Sequence, residues 1–154
     1  MSSPDLIALA HELVDFTRSN IPQAQVMDIQ LGTYDGDTIV LDAPLTPNVN
    51  DKGCAFGGSL VSVMTLAGWS LVELALRRRQ FDCDVFVAES TVRYLAPVWN
   101  DFASEASLAP ESNWETFFGT LQARGRARVE VIARVPGDTG PAATMTARFV
   151  AKRR

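Results

Sequence analysis

One long segment limits what this chain can fold into. Between Leu60 and Leu76 nearly every residue is apolar, and only serine, threonine and glycine interrupt the run before Glu73. A helix that is apolar almost all round is either buried in a protein core or spans a membrane. Glu73, the small polar residues and the strand-like segments on both sides favour burial over a membrane span. We therefore expect a core helix over about residues 57–78, wrapped by a curved sheet, and no membrane partner.

Length and composition indicate one domain. The chain has 154 residues, of which 47% are apolar, and we expect a single domain over residues 1–154 that buries a real core. Residues 1–20 lack a basic start followed by an apolar run, so the protein is expected in the cytoplasm. The chain has two cysteines without CxxC spacing and one histidine, which leaves too few ligands for zinc. No metal and no cofactor are expected.

The first third of the chain predicts a helix and a hairpin. Residues 4–20 carry apolar residues at helical spacing, which predicts an amphipathic N-terminal helix that ends before Pro22. Asp35-Gly36 is typical of a tight turn, and it separates two strand-like segments over residues 26–34 and 37–42.

A turn-rich loop over residues 44–53 precedes the long helix. After the helix, apolar and polar residues alternate as in β-strands. Period-two alternation in the first of these strands places Phe86, Ser90 and Tyr94 on one face of the sheet. The whole order of elements is that of an α+β protein. The strands are expected over residues 84–98, 101–108, 126–135 and 142–150, with one short helix within residues 110–124.

Charge is unevenly distributed along the chain. Residues 1–120 carry 6 basic and 16 acidic residues, whereas residues 121–154 carry 8 basic and 2 acidic residues. The basic side chains can receive phosphates, or they can lie on the solvated faces of two strands, which is the usual meaning of a charge run. Aromatic residues that stack on bases do not alternate with the arginines, so nucleic acid is not expected as a partner.

The loop before the long helix carries a motif. Asn50 is followed three residues later by Gly53, and Gly57 and Gly58 open the helix. This spacing resembles the signature of hotdog thioesterases of the phenylacetate-pathway type, in which the two helix glycines follow a histidine and a carboxylate lies about two turns further on. Here Phe56 occupies the histidine position, and Thr65 occupies the carboxylate position.

The chain more closely resembles the thioesterase-like YiiD-type domain that is fused to the C-terminal side of some bacterial GNAT-type acetyltransferases. The matching residues are Asn50, Phe56-Gly57-Gly58-Ser59-Leu60, Ala67-Gly68-Trp69 and the strand end Arg93-Tyr94-Leu95-Ala96-Pro97-Val98. This resemblance implies a hotdog fold, in which an antiparallel sheet wraps around the central helix. It also implies a thioester substrate on coenzyme A or acyl carrier protein, and pairing through the long strand into a homodimer or a dimer of dimers, with the acyl pocket at the subunit interface.

Substrate contacts are expected at the start of the helix. A helix N-terminus has unpaired N–H groups with a partial positive charge, and glycine lets a ligand approach the backbone. Amides near Gly57 and Gly58 can therefore stabilise an oxyanion, although two glycines also permit close packing against a strand. Phe56 and Ser90 are further substrate-binding candidates, and Ser90 would act across a dimer interface.

The catalytic candidates are Asp51, Asn50 and Thr65. Asp51 is the carboxylate next to the helix start, where it can activate water or attack the thioester, or it can simply hydrogen-bond within the loop. Asn50 can orient water or the carbonyl, or it can stabilise a turn. The Thr65 hydroxyl can hold water, but threonine in a helix more often bonds to its own backbone. Glu73 is expected to pair with Arg77, four residues later.

Three functions are compatible with these residues. The leading hypothesis is an acyl-thioester hydrolase, based on Asn50 and the Phe56-Gly57-Gly58 helix start. The second is a non-catalytic module that binds acyl-CoA or lipid, since the motif histidine and helix carboxylate are replaced. The third, a dehydratase of the same fold, ranks last because it would want a histidine in the cleft and His11 is the only histidine.

Overall fold

The protein is described over all 154 residues by a computed structural model. A single antiparallel sheet of six strands has the order β1-β2-β4-β5-β6-β3, and a helix of 22 residues, α3, packs against five of its strands. The elements are α1 (Ser3–Asn20), α2 (Pro22–Val26), β1 (Gln30–Tyr34), β2 (Ile39–Ala43), α3 (Gly57–Arg78), β3 (Cys83–Tyr94), β4 (Phe102–Leu108), α4 (Trp114–Arg124), β5 (Arg126–Gly137) and β6 (Gly140–Arg153), with a 3₁₀ turn over Thr46–Asn48.

The core forms where α3 lies on the concave side of the sheet. Twelve of the 22 residues of α3 are buried, and the facing strands β5 and β6 bury every second residue along most of their length. Phe149 of β6 is fully buried, and its ring packs directly against Gly68 of α3. By length and composition α3 could cross a membrane, but 67% of its apolar window is buried within the protein. The predicted α+β order and the predicted core helix are thus confirmed.

The start of the hairpin differs from the sequence prediction. Val26 was expected to begin a strand, whereas it closes α2, and β1 begins only at Gln30. Pro22 at the first helical position has a backbone angle already suited to a helix, and the Met27 N–H donates to the Gln23 carbonyl. Asp28 then adopts a positive φ of 55° and turns the chain into the strand.

A β-bulge in β3 changes which residues face the helix. Val87 lies opposite Phe149, but Glu89 lies opposite Arg148, so Ala88 is an extra residue in the strand. Directly opposite residues share a face of the sheet. Ser90, which lies opposite buried Ala147, therefore shares the helix-side face with Tyr94, while Phe86 lies on the other face. The prediction that these three side chains share one face was wrong for Phe86, because the strand was assumed to be regular.

The two edges of the sheet differ. β1 has five residues, its pairing with β2 is irregular between Leu31 and Thr33, and α1 packs against it. β3 has 12 residues and pairs only with β6. Every residue from Phe86 to Thr91 is exposed, and so is Tyr94 near the end of the strand. The β3 edge is therefore long, uncovered and partly apolar.

Candidate functional site

The first turn of α3 has two backbone donors without an acceptor. Phe56 is the N-cap residue, and its carbonyl accepts hydrogen bonds from the N–H groups of Ser59 and Leu60 at 2.9 and 3.0 Å. The N–H groups of Gly57 and Gly58 donate to no group in the chain, and both residues are half-buried. Two adjacent donors with the positive end of the helix dipole behind them can hold an anion or a polarised carbonyl oxygen.

The loop that leads into α3 is held by main-chain bonds. The Phe56 N–H donates to the Asn48 carbonyl at 2.7 Å, and the Ala55 N–H donates to the Val98 carbonyl at 2.8 Å. Asn48 is buried, and its side-chain amide donates to the carbonyls of Met27 and Pro44 at 2.9 and 2.7 Å. These contacts fix the position of the helix start relative to α2 and to the end of β3.

Two aromatic rings flank the free donors. A Cβ atom on Gly58 would lie 2.8 Å from Cζ of Phe56 and would overlap its Cε2 atom, so the Phe56 ring packs directly against the glycine. A Cβ atom on Gly57 would lie 3.5 Å from Cε1 of Tyr94, an ordinary contact distance. Both rings are more than half exposed. The two glycines therefore lie beside two exposed aromatic side chains, which can contact the apolar part of a substrate held at the donors.

The structure gives Asn50 a role within the loop. Its Oδ1 accepts from the N–H groups of Lys52 and Cys54 at 2.8 and 3.3 Å, and its Nδ2 donates to the Cys54 sulfur at 3.2 Å. This is the turn-forming pattern typical of asparagine. A catalytic role for Asn50 stays a prediction.

Asp51 lies on the surface of the same loop. Its carboxylate oxygens are 3.0 and 3.2 Å from the Lys52 ammonium group, and its side chain is 79% exposed. No hydrogen bond joins this carboxylate to the N–H groups of Gly57 or Gly58. Asp51 thus lies in the loop before α3 but makes no contact with the free donors. Its catalytic role stays a prediction.

Thr65 and Ser90 lie further from the helix start. The Thr65 hydroxyl donates to the Val61 carbonyl at 2.8 Å and lies 3.7 Å from the sulfur of Met145. This backbone bond is common for threonine in helices. Ser90 is exposed at the middle of the open β3 edge, on the face that carries α3. Both remain candidates without a direct contact to the free donors.

A second cleft lies at the other end of α3, and sequence reasoning did not identify it. It has a volume of about 720 Å³ and lies between α1, α3 and the start of β3. Glu73 lines it, with only 13% of its side chain exposed, and Arg77 approaches Glu73 at 3.5 Å, as the spacing predicted. Burial raises the pKa of Glu73, and the nearby charges of Arg77 and Arg154 oppose this shift only in part. The one available signal was a carboxylate in an otherwise apolar helix.

An antiparallel sheet wrapped around one long helix, with two free glycine amides at the helix start, defines a thioesterase-like protein of the hotdog class. The chain belongs to the family described as putative thioesterase (yiiD_Cterm), whose model matches residues 10–153. The predicted resemblance is confirmed at the level of family and fold.

Solved structures agree with this assignment. A putative thioesterase from Shewanella oneidensis is 28% identical, with a TM-score of 0.84 over 94% of this chain and 98% of that chain. A protein of unknown function from Chlorobaculum tepidum is 30% identical, with a TM-score of 0.89 over 94% of both chains. A thioesterase from Haemophilus influenzae, 12% identical over 92% of this chain and 88% of that chain, has a TM-score of 0.69 and shows the shared fold alone.

Proposed function

We propose that the protein hydrolyses acyl thioesters of coenzyme A or acyl carrier protein in the cytoplasm. The observation that carries this proposal is the pair of unpaired N–H groups at Gly57 and Gly58 in a chain of a thioesterase family. Addition of water to a thioester carbonyl places negative charge on the carbonyl oxygen. Donors aimed at that oxygen stabilise the transition state, by about 3 to 4 kcal/mol for one oxyanion-hole donor in other enzymes.

The reaction needs water and a proton acceptor. The water oxygen bonds to the carbonyl carbon, the carbon–sulfur bond then breaks, and the departing thiolate takes up a proton, which yields a carboxylic acid and a free thiol. Asp51 is the carboxylate that the loop places nearest in sequence to the helix start, and rotation of its exposed side chain away from Lys52 would free it to accept the proton from water.

The proposal includes pairing of two chains through β3. A long strand edge with exposed apolar side chains favours pairing with another strand, and two identical edges pair about a twofold axis. The open stretch from Phe86 to Tyr94 has Ser90 at its centre. Antiparallel pairing about Ser90, with the bulge residue Ala88 left unpaired, places Val85 opposite the partner's Tyr94. The first turn of each α3 then lies beside the other chain. Ser90 and the acyl pocket would in this way belong to the interface between the two chains.

The hydrolase is tested by thiol release from a panel of acyl-CoAs, from acetyl-CoA to palmitoyl-CoA. The Asp51→Asn variant is expected to lose at least about a hundredfold in kcat/KM, because a general base contributes that much or more. Asp15→Asn, at an exposed carboxylate of α1, is the control and should leave turnover unchanged. Release of no thiol from any member of the panel would refute the hydrolase.

Pairing is tested by a charge at the centre of the open edge. Ser90→Arg would place two guanidinium groups against each other at the twofold axis and should convert a dimer to a monomer in light scattering, with loss of turnover. Thr33→Arg puts the same charge on the covered edge strand β1, where Thr33 is exposed, and should leave the mass unchanged. A wild-type monomer at micromolar concentration would contradict the proposal.

A non-catalytic acyl-CoA-binding module is the second candidate. One observation favours it: neither Asp51 nor any other carboxylate hydrogen-bonds to the first turn of α3 within one chain. In that case acyl-CoA should raise the melting temperature without release of thiol. The thiol assay and the thermal shift together separate the two candidates.

A further inference from the structure

The cleft beside Glu73 combines an apolar wall with a charged floor. Trp69, Phe16 and Leu9 line its walls, and the Trp69 indole N–H donates to the Val85 carbonyl at 3.2 Å, which fixes the ring against β3. Phe16 is about half exposed, at 47%. Burial of an apolar chain against such a wall is favourable, because it removes apolar surface from water.

The floor and rim of the cleft carry excess negative charge. Glu73 is paired with Arg77 at 3.5 Å, and Arg154 binds both Asp82 and Asp84 at 2.8 Å. Glu12 adds a fourth carboxylate to the lining, against two guanidinium groups. A ligand group that donates hydrogen bonds complements this lining, whereas a carboxylate would be repelled.

Pairing through β3, a part of the proposed function on which this inference rests, joins this cleft to the free donors of the other chain. Within one chain, Gly57 lies beside Tyr94 at the end of β3, whereas the cleft adjoins Val85 and Phe86 at its start. Antiparallel pairing about Ser90 places the end of one β3 beside the start of the other. The partner's Tyr94, and with it the partner's free amides, then border the cleft.

We propose that this cleft receives the distal end of the acyl group whose thioester is held at the partner subunit's α3, and that Glu73 selects acyl groups ending in a hydrogen-bond donor such as a hydroxyl. A plain alkyl end would cover the ion pair without replacing its lost contacts with water, which is unfavourable. A hydroxyl end donates to the carboxylate. Sites built to bind a hydroxyl discriminate strongly against the analogue that lacks it.

The selectivity is measured with matched substrates of one chain length. Octanoyl-CoA, ω-hydroxyoctanoyl-CoA and octanedioyl-CoA differ only in the end group, and the hexanoyl and decanoyl sets locate the best length. We expect kcat/KM for the hydroxyl form to exceed that for the alkyl form by about tenfold, as for a hydrogen bond to a charged group, with the dicarboxylic form slowest. Glu73→Leu should bring the ratio of hydroxyl to alkyl near one, and Glu115→Leu, at an exposed carboxylate of α4, should leave it unchanged.

A mixed-dimer experiment tests whether the cleft acts on the partner's donors. Glu73→Leu chains keep intact donors and lose selectivity, whereas Gly58→Val chains have disturbed donors and keep Glu73. When Glu73→Leu chains are mixed with an excess of Gly58→Val chains, most Glu73→Leu chains pair with a Gly58→Val chain. The intact donors of the Glu73→Leu chain then lie beside the cleft of the Gly58→Val chain, which keeps Glu73. We expect the preference for the hydroxyl form to return. Activity that stays unselective would place cleft and donors in one chain and overturn the proposal.

Calorimetric binding of the same acyl-CoAs separates this proposal from the hydrolase. Tighter binding of the hydroxyl form, lost in Glu73→Leu, supports the cleft even where no thiol is released, and in that case only the hydrolase fails. Turnover and binding that favour neither end group overturn the cleft and leave the hydrolase standing. An equal loss of turnover for every end group in Glu73→Leu also overturns it, because Glu73 would then act on the reacting carbonyl and not on the acyl end.

Discussion

Two glycines of α3 show how its buried body and its first turn differ. A Cβ atom at Gly68 would lie 2.8 Å from Cε2 of Phe149 and 3.3 Å from Cγ1 of Val131, and both neighbours are fully buried. A Cβ atom at Gly58 would also be too close to a ring, but that ring belongs to Phe56, which is 56% exposed. The added atom therefore meets a fixed neighbour in the body and a movable one in the first turn. The body supports the fold, and the first turn is free to serve a ligand.

Enlargement of Gly68 should have the largest effect of the substitutions that probe this difference. Gly68→Val is expected to lower the free energy of unfolding by about 3 kcal/mol, because an overfilled core must displace packed side chains. Gly119→Ala is the control, since no atom lies within 4 Å of the added methyl group, and it should stabilise α4 by about 0.5 to 1 kcal/mol. Urea denaturation measures both. A Gly68→Val protein as stable as the wild type would show that the body is not tightly packed.

Loss of the Asn48 side chain should come next, because it anchors the loop before the first turn. Asn48→Ala leaves the carbonyls of Met27 and Pro44 without their amide donor, and an unsatisfied buried polar group costs about 1 to 3 kcal/mol. Thermal unfolding should show this loss, and turnover should fall with it. Asn100→Ala, at an exposed position, should change neither. If only turnover falls, Asn48 acts on the ligand and not on the loop.

Gly58→Ala should reduce activity more than stability. The added methyl group pushes the Phe56 ring out of place, and we expect kcat/KM to fall about tenfold, which corresponds to about 1.4 kcal/mol. In a Phe56→Ala background, which lacks the ring that the methyl group displaces, Gly58→Ala should reduce kcat/KM much less in the same assay. A Gly58→Ala protein with a lower melting temperature but an unchanged kcat/KM would show that the first turn supports the fold, as the body of α3 does.

The smallest expected effect concerns Glu73, which lies where the body of α3 meets the second cleft. Burial raises its pKa in the folded protein, with Arg77 and Arg154 opposing the shift and Asp84 adding to it. The folded state therefore holds this proton more tightly than the unfolded state, whose carboxyl has a pKa of about 4.3. The contribution of Glu73 to the free energy of unfolding should therefore fall as pH rises from that value through the raised folded pKa.

Glu73→Gln removes this titration, so the free energy of unfolding of the wild type minus that of the variant should fall as pH rises through this range. Urea denaturation at several pH values between about 4 and 8 measures the profile. Equal slopes for the two proteins would mean that Glu73 ionises as freely in the folded state as in the unfolded one.

The parts of the fold that follow from local patterns could be predicted from the sequence. The α3 helix runs over Gly57–Arg78, as its apolar composition and glycine start indicated, and Glu73 pairs with Arg77 as a spacing of four predicts. The first turn of α3 was recognised as a site candidate because glycines at a helix start leave donors unpaired.

The parts that depend on tertiary contacts could not be predicted. The bulge at Ala88 reverses the side of the sheet on which Phe86 lies, and no turn residue marks it in the sequence. The sequence left open whether Asn50 and Asp51 would act on a ligand or bond within the loop, and the structure shows Asn50 bonded within its own turn and Asp51 paired with Lys52. The cleft beside Glu73 forms where α1 packs beside α3 and the start of β3, and α1 is distant from the other two in sequence, so no single segment carries its pattern.

The free donors at Gly57 and Gly58 belong to the main chain, and this affects how the protein tolerates mutation. Replacement of one side chain by another removes neither N–H group unless the new residue is proline. An alanine scan would therefore pass over the donors and report only on the rings around them. Replacement of one peptide N–H by an ester oxygen through chemical ligation deletes a single donor and keeps every side chain. In evolutionary terms, such a site can persist while the residues around it change.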